Sequence, residues 1–273
     1  MSVICRTLKV VILLGGFLTS VVPAISFAAE QSDNRVNIYL SAYRPKIDTS
    51  IRLDSEALDF GTVINLEDST ALEDRKTLGA LSVSYRMSKK FWLDFSHFEL
   101  SRSGSRRLEG EIRFGEEQFE VDELIETQFN VDITRLGIGY AFYNTSDLSV
   151  SITSGLHVTQ FEVGIAATGR EAEESAEETA PLPYVGIGLD YRISNSWSVG
   201  GQAEFFGIEL NDVDGALTNA TFALGYKFSR HLSFGAGYNY YQLKVSSDSL
   251  ADGLSGEFEY TYGGPLVFVR LGF

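Results

Sequence analysis

The sequence predicts an all-β protein, a transmembrane up-and-down antiparallel β-barrel of about ten strands, with eight or twelve as the alternatives. Three observations predict it. A strand–turn–strand pattern returns in "LSVSYRMSKKFWLDF", "LGIGYAFYNTSDLSVSI", "VGIGLDYRISNSWSVGG" and "FALGYKFSRHLSFGAGY". Beyond the N-terminal apolar segment no run of about 18 apolar residues remains, so a closed barrel is the one spanning structure available. The last residues, "GGPLVFVRLGF", alternate up to a terminal Phe273 without a polar tail, where chain ends usually fray.

In chain order, the first element is a removable one. "MSVICRTLKVVILLGGFLTSVVPAISFAAE" sets Arg6 and Lys9 ahead of an apolar core, with Ser26 and Ala28 spaced for cleavage after Ala28. Residues 1–28 are read as a secretory signal peptide and 29–273 as a single barrel domain; Pro23 and the Gly15-Gly16 pair argue against an uncleaved helix. Cys5 leaves with the signal, so the mature chain has neither a disulfide nor a thiol nucleophile. The 37 acidic residues outnumber the 22 basic ones, which excludes a nucleic-acid partner because phosphate recognition needs a basic surface.

Strands are predicted at 35–45, 76–87, 90–103, 127–143, 148–165, 182–194, 197–209, 217–229, 232–246 and 256–273. Short turns fall at one end and long acidic or glycine-containing connections at the other, the asymmetry of outer-membrane barrels. An even strand number places both termini at the short-turn, periplasmic end. Alternation gives a lipid face of Leu81, Val83, Tyr85 and Met87 on one strand, and of Leu136, Ile138, Tyr140 and Phe142 on another. Period 2 alone also fits a soluble sandwich. The aromatics decide against it: Tyr85, Trp92, Tyr140, Tyr191, Trp197 and Tyr226 cluster beside the short turns and are assigned to an interfacial girdle. The opposite face is small, with Gly137, Gly139, Gly186, Gly188, Gly235 and Gly237 leaving room in a narrow interior.

The charges that share this interior are expected to be Arg86, Asp190, Arg192, Glu204, Lys227 and Arg270, with Asp94, Asp132 and His157 as companions. Mixed signs in a small lumen favour internal pairing and a plugged barrel; the rival is a narrow solute path with a charged constriction. The acidic run Glu171 to Glu178 is expected to be a solvated loop, with a divalent-cation site toward lipopolysaccharide phosphates as the rival. The segment 46–76 is expected to fold over the barrel mouth. His231 and Ser233 have a His-x-Ser spacing but stand at a short turn. No metal-ligand spacing, phosphate loop or nucleophile elbow is present, so no cofactor, metal or catalytic residue is assigned.

The signal peptide, the turn repeats around Tyr85, Tyr140, Tyr191 and Tyr226, and the closing "LVFVRLGF" resemble the small outer-membrane barrels of Gram-negative bacteria, in the broad company of the OmpA and OmpW types. "AEFFGIEL" and "GLHVTQFEVG" resemble segments of a proteobacterial barrel family. Ten strands rather than eight depart from the OmpA and OmpW types, so their activities do not carry over. The resemblance implies an outer-membrane location, contact with lipids and lipopolysaccharide, and handling by the barrel-assembly machinery. The latter would read Val267, Val269, Leu271 and Phe273 as an assembly signal. The function expected is a non-enzymatic, monomeric barrel with a structural or narrow-pore role. The alternatives are surface recognition through 46–76, 104–126 and 167–180, or a lipid A-modifying enzyme using His97 or His157. Phe258, Tyr260 and Tyr262 have the parity opposite to Val267 and Val269, so a β-bulge is expected at Gly263 to Pro265.

Overall fold

The computed structural model describes residues 34–55, 62–65, 67–68, 71–109, 112–114, 117–169, 173–210, 213–250 and 254–273. The proposed signal peptide lies outside these residues. The strands are β1 (Val36–Tyr43), β2 (Lys46–Ser55), β3 (Thr62–Asn65), β4 (Leu78–Arg86), β5 (Phe91–Arg107), β6 (Ile112–Phe114) and β7 (Glu117–Phe119). They continue with β8 (Leu124–Asn144), β9 (Leu148–Ala167), β10 (Glu173–Arg192), β11 (Trp197–Leu210), β12 (Val213–Lys227), β13 (Leu232–Leu250) and β14 (Leu254–Gly272). Ten of them, β1-β4-β5-β8-β9-β10-β11-β12-β13-β14, form an antiparallel ring that β1 and β14 close. The fold class and strand number read from the sequence are those observed.

The closing seam is longer than β1. Asn37 pairs with Gly272, Tyr43 with Leu266, Lys46 with Gly263 and Ser55 with Leu254, so β1 and β2 follow β14 in one uninterrupted register. Only Arg44-Pro45 interrupts the ladder, because proline has no N–H to give it. Below this break the first strand pairs with β4 on its other side, and above it with β3. The segment expected to cover the mouth divides: β2 and β3 contribute wall, with Ile51 paired to Ile64, while Glu67 and Leu72 after β3 turn inward to Arg102 and the upper core. At its lower end the seam is tied by reciprocal bonds between Val36 and Phe273, N to O at 3.0 and 2.8 Å.

Three of the four short turns use one device. Ser88, Ser194 and Ser229 each turn a side-chain oxygen back to accept the N–H groups two and three residues ahead, at 3.1–3.3 Å. Thr145 accepts the Leu148 N–H at 3.0 Å in the fourth. Such serine and threonine turns satisfy backbone donors that the ladder cannot reach. Asn34, the first described residue, and Phe273 lie at this end, with Asn34 donating to the Arg230 carbonyl at 2.7 Å.

The two faces exchange polarity partway up the wall. Near the short turns β8 presents Leu136, Ile138 and Phe142 outward and Arg135, Gly137 and Gly139 inward. Farther up, Glu126, Gln128, Asn130, Asp132 and Thr134 face outward, while Ile125, Phe129, Val131 and Ile133 are buried inward. Lipid demands an apolar exterior below; above the belt the exterior meets water and the apolar groups turn inward to form an ordinary core. Tyr43, Phe98, Leu100, Phe129, Leu243, Tyr260, Tyr262 and Leu266 belong to that core. Each large side chain buried there contributes roughly 1.5–3 kcal/mol.

This exchange removes the bulge expected at Gly263 to Pro265. Tyr260, Tyr262, Leu266, Phe268 and Arg270 all face inward, and β14 pairs with β13 in one register from Leu271 down to Gly256. What changes along β14 is the surroundings, not the parity. The acidic run is likewise not a loop: Glu173 to Glu178 begin β10 and pair with Phe161 to Ala166 of β9, and Glu171 lies outside the described residues.

Of the girdle residues, Tyr85, Tyr191, Trp197 and Tyr226 are exposed on the outer face, with Tyr140 partly so. Phe91 stacks near Tyr140 at 4.7 Å and Trp197 near Tyr226 at 4.9 Å. Trp92 is a correction. It points into the lumen, 4% exposed, and its indole donates to Asp94 at 2.7 Å. Phe91 holds the interfacial position instead. The space for Trp92 comes from Gly139, where any Cβ would coincide with the indole ring.

Candidate functional site in the lumen

Side chains fill the barrel interior in layers. Lowest are Arg86, Arg192 and Lys227, half-buried, with Asp94, Asp190 and Arg270 buried above or beside them. Arg270 bridges the seam, donating to Ser233 at 2.7 Å and to Asn37 at 3.3 Å. Phe268 lies over Gly235, whose missing side chain is the space it occupies.

The middle layer is organised by Glu204 of β11. Its Oε1 accepts from Arg135 Nη2 at 2.5 Å and from Gln202 at 2.8 Å, and its Oε2 accepts from Asn219 at 2.9 Å. Asn239 donates to Asn219 at 2.7 Å, and Tyr43 donates to Asn239 at 3.2 Å. The network thus crosses from β8 through β11, β12 and β13 to β1. The Arg135 guanidinium lies over the Tyr184 ring at 4.6 Å, a cation–π contact between two buried side chains. His157 meets the same ring edge-on at 4.8 Å, with Nε2 3.9 Å from Glu204. Gly137 and Gly155 leave the room that Tyr184 fills.

The upper layer is apolar. Tyr241 and Tyr262 stack at 4.6 Å, and Tyr260 and Tyr43 pack edge-on around them. A second buried ion pair sits beside it: Arg102 donates to Glu67 at 2.7 Å, with side-chain exposures of 0% and 8%. Glu67 also accepts the N–H and the hydroxyl of Thr49, both at 2.8 Å, which fastens the chain after β3 to β2 and β5.

The structure brings Glu204 and His157 together and separates Asp132 from them. Asp132 stands on the outer wall, because on β8 it has the parity of Leu136 and not of Gly137. Arg135, which shares the parity of Gly137 and Gly139, is the charge that β8 supplies to the lumen. Tyr184, Asn219 and Asn239 also line the lumen, each on the small-residue parity of its strand, and Arg102 joins them from the face of β5 that carries Phe98 and Leu100. Glu67 carried no such signal, since no alternation surrounds it. His97 faces outward, and the His231 ring lies at the seam, with Nδ1 2.8 Å from the Gly272 carbonyl.

A family model described as "Protein of unknown function, DUF481" matches residues 108–250. No curated protein matches the chain significantly in sequence. Among solved structures, the outer membrane protease OmpT from Escherichia coli superposes with a TM-score of 0.59 at 11% identity, covering 89% of this chain and 97% of OmpT. The transport unit of the autotransporter AIDA-I from Escherichia coli gives 0.47 at 10%, covering 98% of each chain. Ail, the attachment invasion locus protein of Yersinia pestis, gives 0.32 at 9%, covering 85% of this chain and 99% of Ail. At such identity the likeness to OmpT shows a shared fold, that of the Gram-negative outer-membrane barrels.

Proposed function

The chain belongs to the family described as protein of unknown function DUF481, and we propose that it serves the outer membrane as a closed, non-enzymatic, monomeric barrel with a structural role. The observation that carries this is the filled lumen. Glu204, Arg135, His157 and Tyr184 occupy the middle layer at 1–3% exposure, and the tyrosine layer above them is as deeply buried. A ten-strand ring encloses little more than an eight-strand one, whose interior side chains fill. Among the described residues, the Glu204–Arg135 pair and the stacked tyrosines stand where a conducting path would have to be open. The short-turn end, with both termini, is taken as periplasmic, and the taller acidic wall as extracellular.

The wild-type barrel reconstituted in planar bilayers is expected to give no stable single-channel conductance, while showing the heat-dependent gel mobility of a folded barrel. Discrete, reproducible openings from such protein would replace the structural reading with a pore.

Assembly supplies a second expectation. Phe273 is 64% exposed at the foot of the seam, with Val267 exposed and Val269 and Leu271 partly exposed along the same outward face. This arrangement supports recognition of the last strand by the barrel-assembly machinery. Deleting Phe273 is expected to lower the folded yield in the outer membrane several-fold while leaving detergent refolding in vitro close to wild type. Equal yields in cells would remove the assembly role.

The upper wall also favours a surface-recognition role, because its polar outer face continues well beyond the apolar belt on β5, β8 and β9.

A further inference from the structure

The outer wall carries a set of ligand-type side chains that the lumen does not use. His97 and Glu99 lie on the outward face of β5. Asp132 lies on the outward face of β8, directly opposite Glu99 in the ladder. One donor atom from each residue lies within 4.8 Å of the other two. His97 Nε2 is 3.5 Å from Glu99 Oε1, and Nδ1 is 3.7 Å from Asp132 Oδ1 and 3.2 Å from Thr134 Oγ1. A nitrogen–oxygen separation of about 3.5 Å is the edge of a coordination tetrahedron with bonds near 2.1 Å; the two separations use different ring nitrogens, so a metal would take one of them and draw in the third donor from within 4.8 Å.

Two carboxylates directly opposite on one face of an antiparallel pair repel each other. Among the described residues, the only side chain of possible positive charge within ion-pair distance of either one is His97. Something positive belongs between them.

A groove on the same outer wall adjoins this cluster. The small residues Ala42 and Gly79 leave an open groove of about 810 Å³ on the outer wall, bordered by Leu40, Leu81 and Val267 and lined on its β5 side by His97 and Glu99. A Cβ at Gly79 would meet nothing within 4 Å, so the floor opens outward. The groove belongs to the apolar belt, and its rim is the level at which the outer face turns charged. A molecule filling both must carry an apolar chain and, next to it, a group that a cation can hold. Outer-leaflet lipid bearing a phosphate has that form and surrounds the barrel at that height, yet its phosphate would be repelled by Glu99 and Asp132 unless a cation stands between.

We propose that His97, Glu99 and Asp132 hold a divalent metal ion on the outer wall, and that this ion captures the phosphate of a lipid whose acyl chain lies in the groove over Gly79. One imidazole with two carboxylates suits Zn²⁺ or Mn²⁺ better than Ca²⁺, which prefers six or more oxygens. The ring nitrogen not used for the metal is held by its wall neighbours, which fixes the imidazole's orientation. The site is independent of whether the lumen conducts and rests only on the apolar belt being embedded in the membrane.

The test uses the full barrel in detergent, stripped with EDTA and titrated with Zn²⁺ by calorimetry. One site is expected, with binding at least about tenfold weaker in Glu99→Gln and Asp132→Asn, and Ca²⁺ weaker than Zn²⁺. Native mass spectrometry then compares phosphatidic acid and lipid A with diacylglycerol. Retention of either phosphorylated lipid is expected with Zn²⁺, is lost in EDTA or in Glu99→Gln, and is lost in Gly79→Leu, which fills the groove but keeps the Zn²⁺ site. These substitutions point outward, and heat-dependent gel mobility verifies that each variant is folded. Failure of the folded wild type to bind Zn²⁺ at one site, Zn²⁺ binding unchanged in both carboxylate variants, or lipid retention indifferent to EDTA overturns the proposal. A conducting lumen would overturn the structural reading and leave this one standing.

Discussion

Glu204→Leu is expected to lower the unfolding free energy of the barrel in lipid vesicles by about 3–5 kcal/mol, read from a urea titration followed by tryptophan fluorescence. The size follows from what the carboxylate holds. It is the acceptor for Arg135, Gln202 and Asn219 at once, at 2.5–2.9 Å, and is itself 2% exposed. Leucine would leave the buried Arg135 guanidinium, 1% exposed, without its counter-charge, and would orphan two amide donors as well. The cost therefore lies mainly in the partners left behind. That account makes a second claim. Arg135→Met combined with Glu204→Leu removes both charges, and apolar groups of similar volume replace a buried ion pair at little net cost. The double variant is expected to recover most of the loss, with the Asn219–Asn239–Tyr43 chain intact. A single-variant cost under about 1 kcal/mol, or a double variant worse than Glu204→Leu alone, would show that the layer is held by packing rather than by this charge.

The sequence is legible here to the extent that one face of each strand keeps one environment. Below the polarity exchange it does, so the ring, the short turns and the inward placement of Glu204, Asp190 and His157 follow from alternation. Where the wall rises out of lipid the same alternation persists while its meaning reverses. Tyr260 and Tyr262 then read as a register slip, although nothing in the backbone slips. Asp132 departs from the expected lumen position for a neighbouring reason: it has the outward parity of β8, and on the upper wall acidic residues face water. Trp92 shows the limit of composition. An aromatic beside a short turn favours the interface, but Gly139 on the adjacent strand makes an indole-sized space inside, and that pairing is visible only once the β5–β8 register is known. The outer-wall triad is hidden for the same reason. His97 and Glu99 are two residues apart, but Asp132 joins them only across the ladder.

The second large effect is expected at the seam, where two adjacent glycines should behave oppositely. Gly264→Val is expected to abolish the heat-modifiable folded form or to destabilise it by at least about 3 kcal/mol, whereas Gly263→Val should fold close to wild type. Gly264 faces inward, opposite Pro45. A Cβ there would collide with the Arg44 carbonyl and the Pro45 Cα, backbone atoms that cannot swing aside. Those atoms are placed by the one break in the β1–β2 ladder, where Arg44 N still donates to the Pro265 carbonyl at 3.1 Å. Moving them would separate the lower seam, from Val36 to Tyr43, from the upper, from Lys46 to Ser55. Gly263, one residue earlier, faces outward, and the tightest contact of a Cβ there is the Tyr238 hydroxyl at 3.0 Å, the far end of a side chain that can rotate, with the Asn239 carbonyl at an ordinary 3.5 Å. Valine also suits an exposed strand position next to lipid. The comparison isolates direction from composition, since both variants add the same side chain to the same strand. If Gly264→Val folds as readily as Gly263→Val, the close passage of Arg44-Pro45 over β14 is not what the closing strand requires, and the glycine pair must be explained by assembly instead.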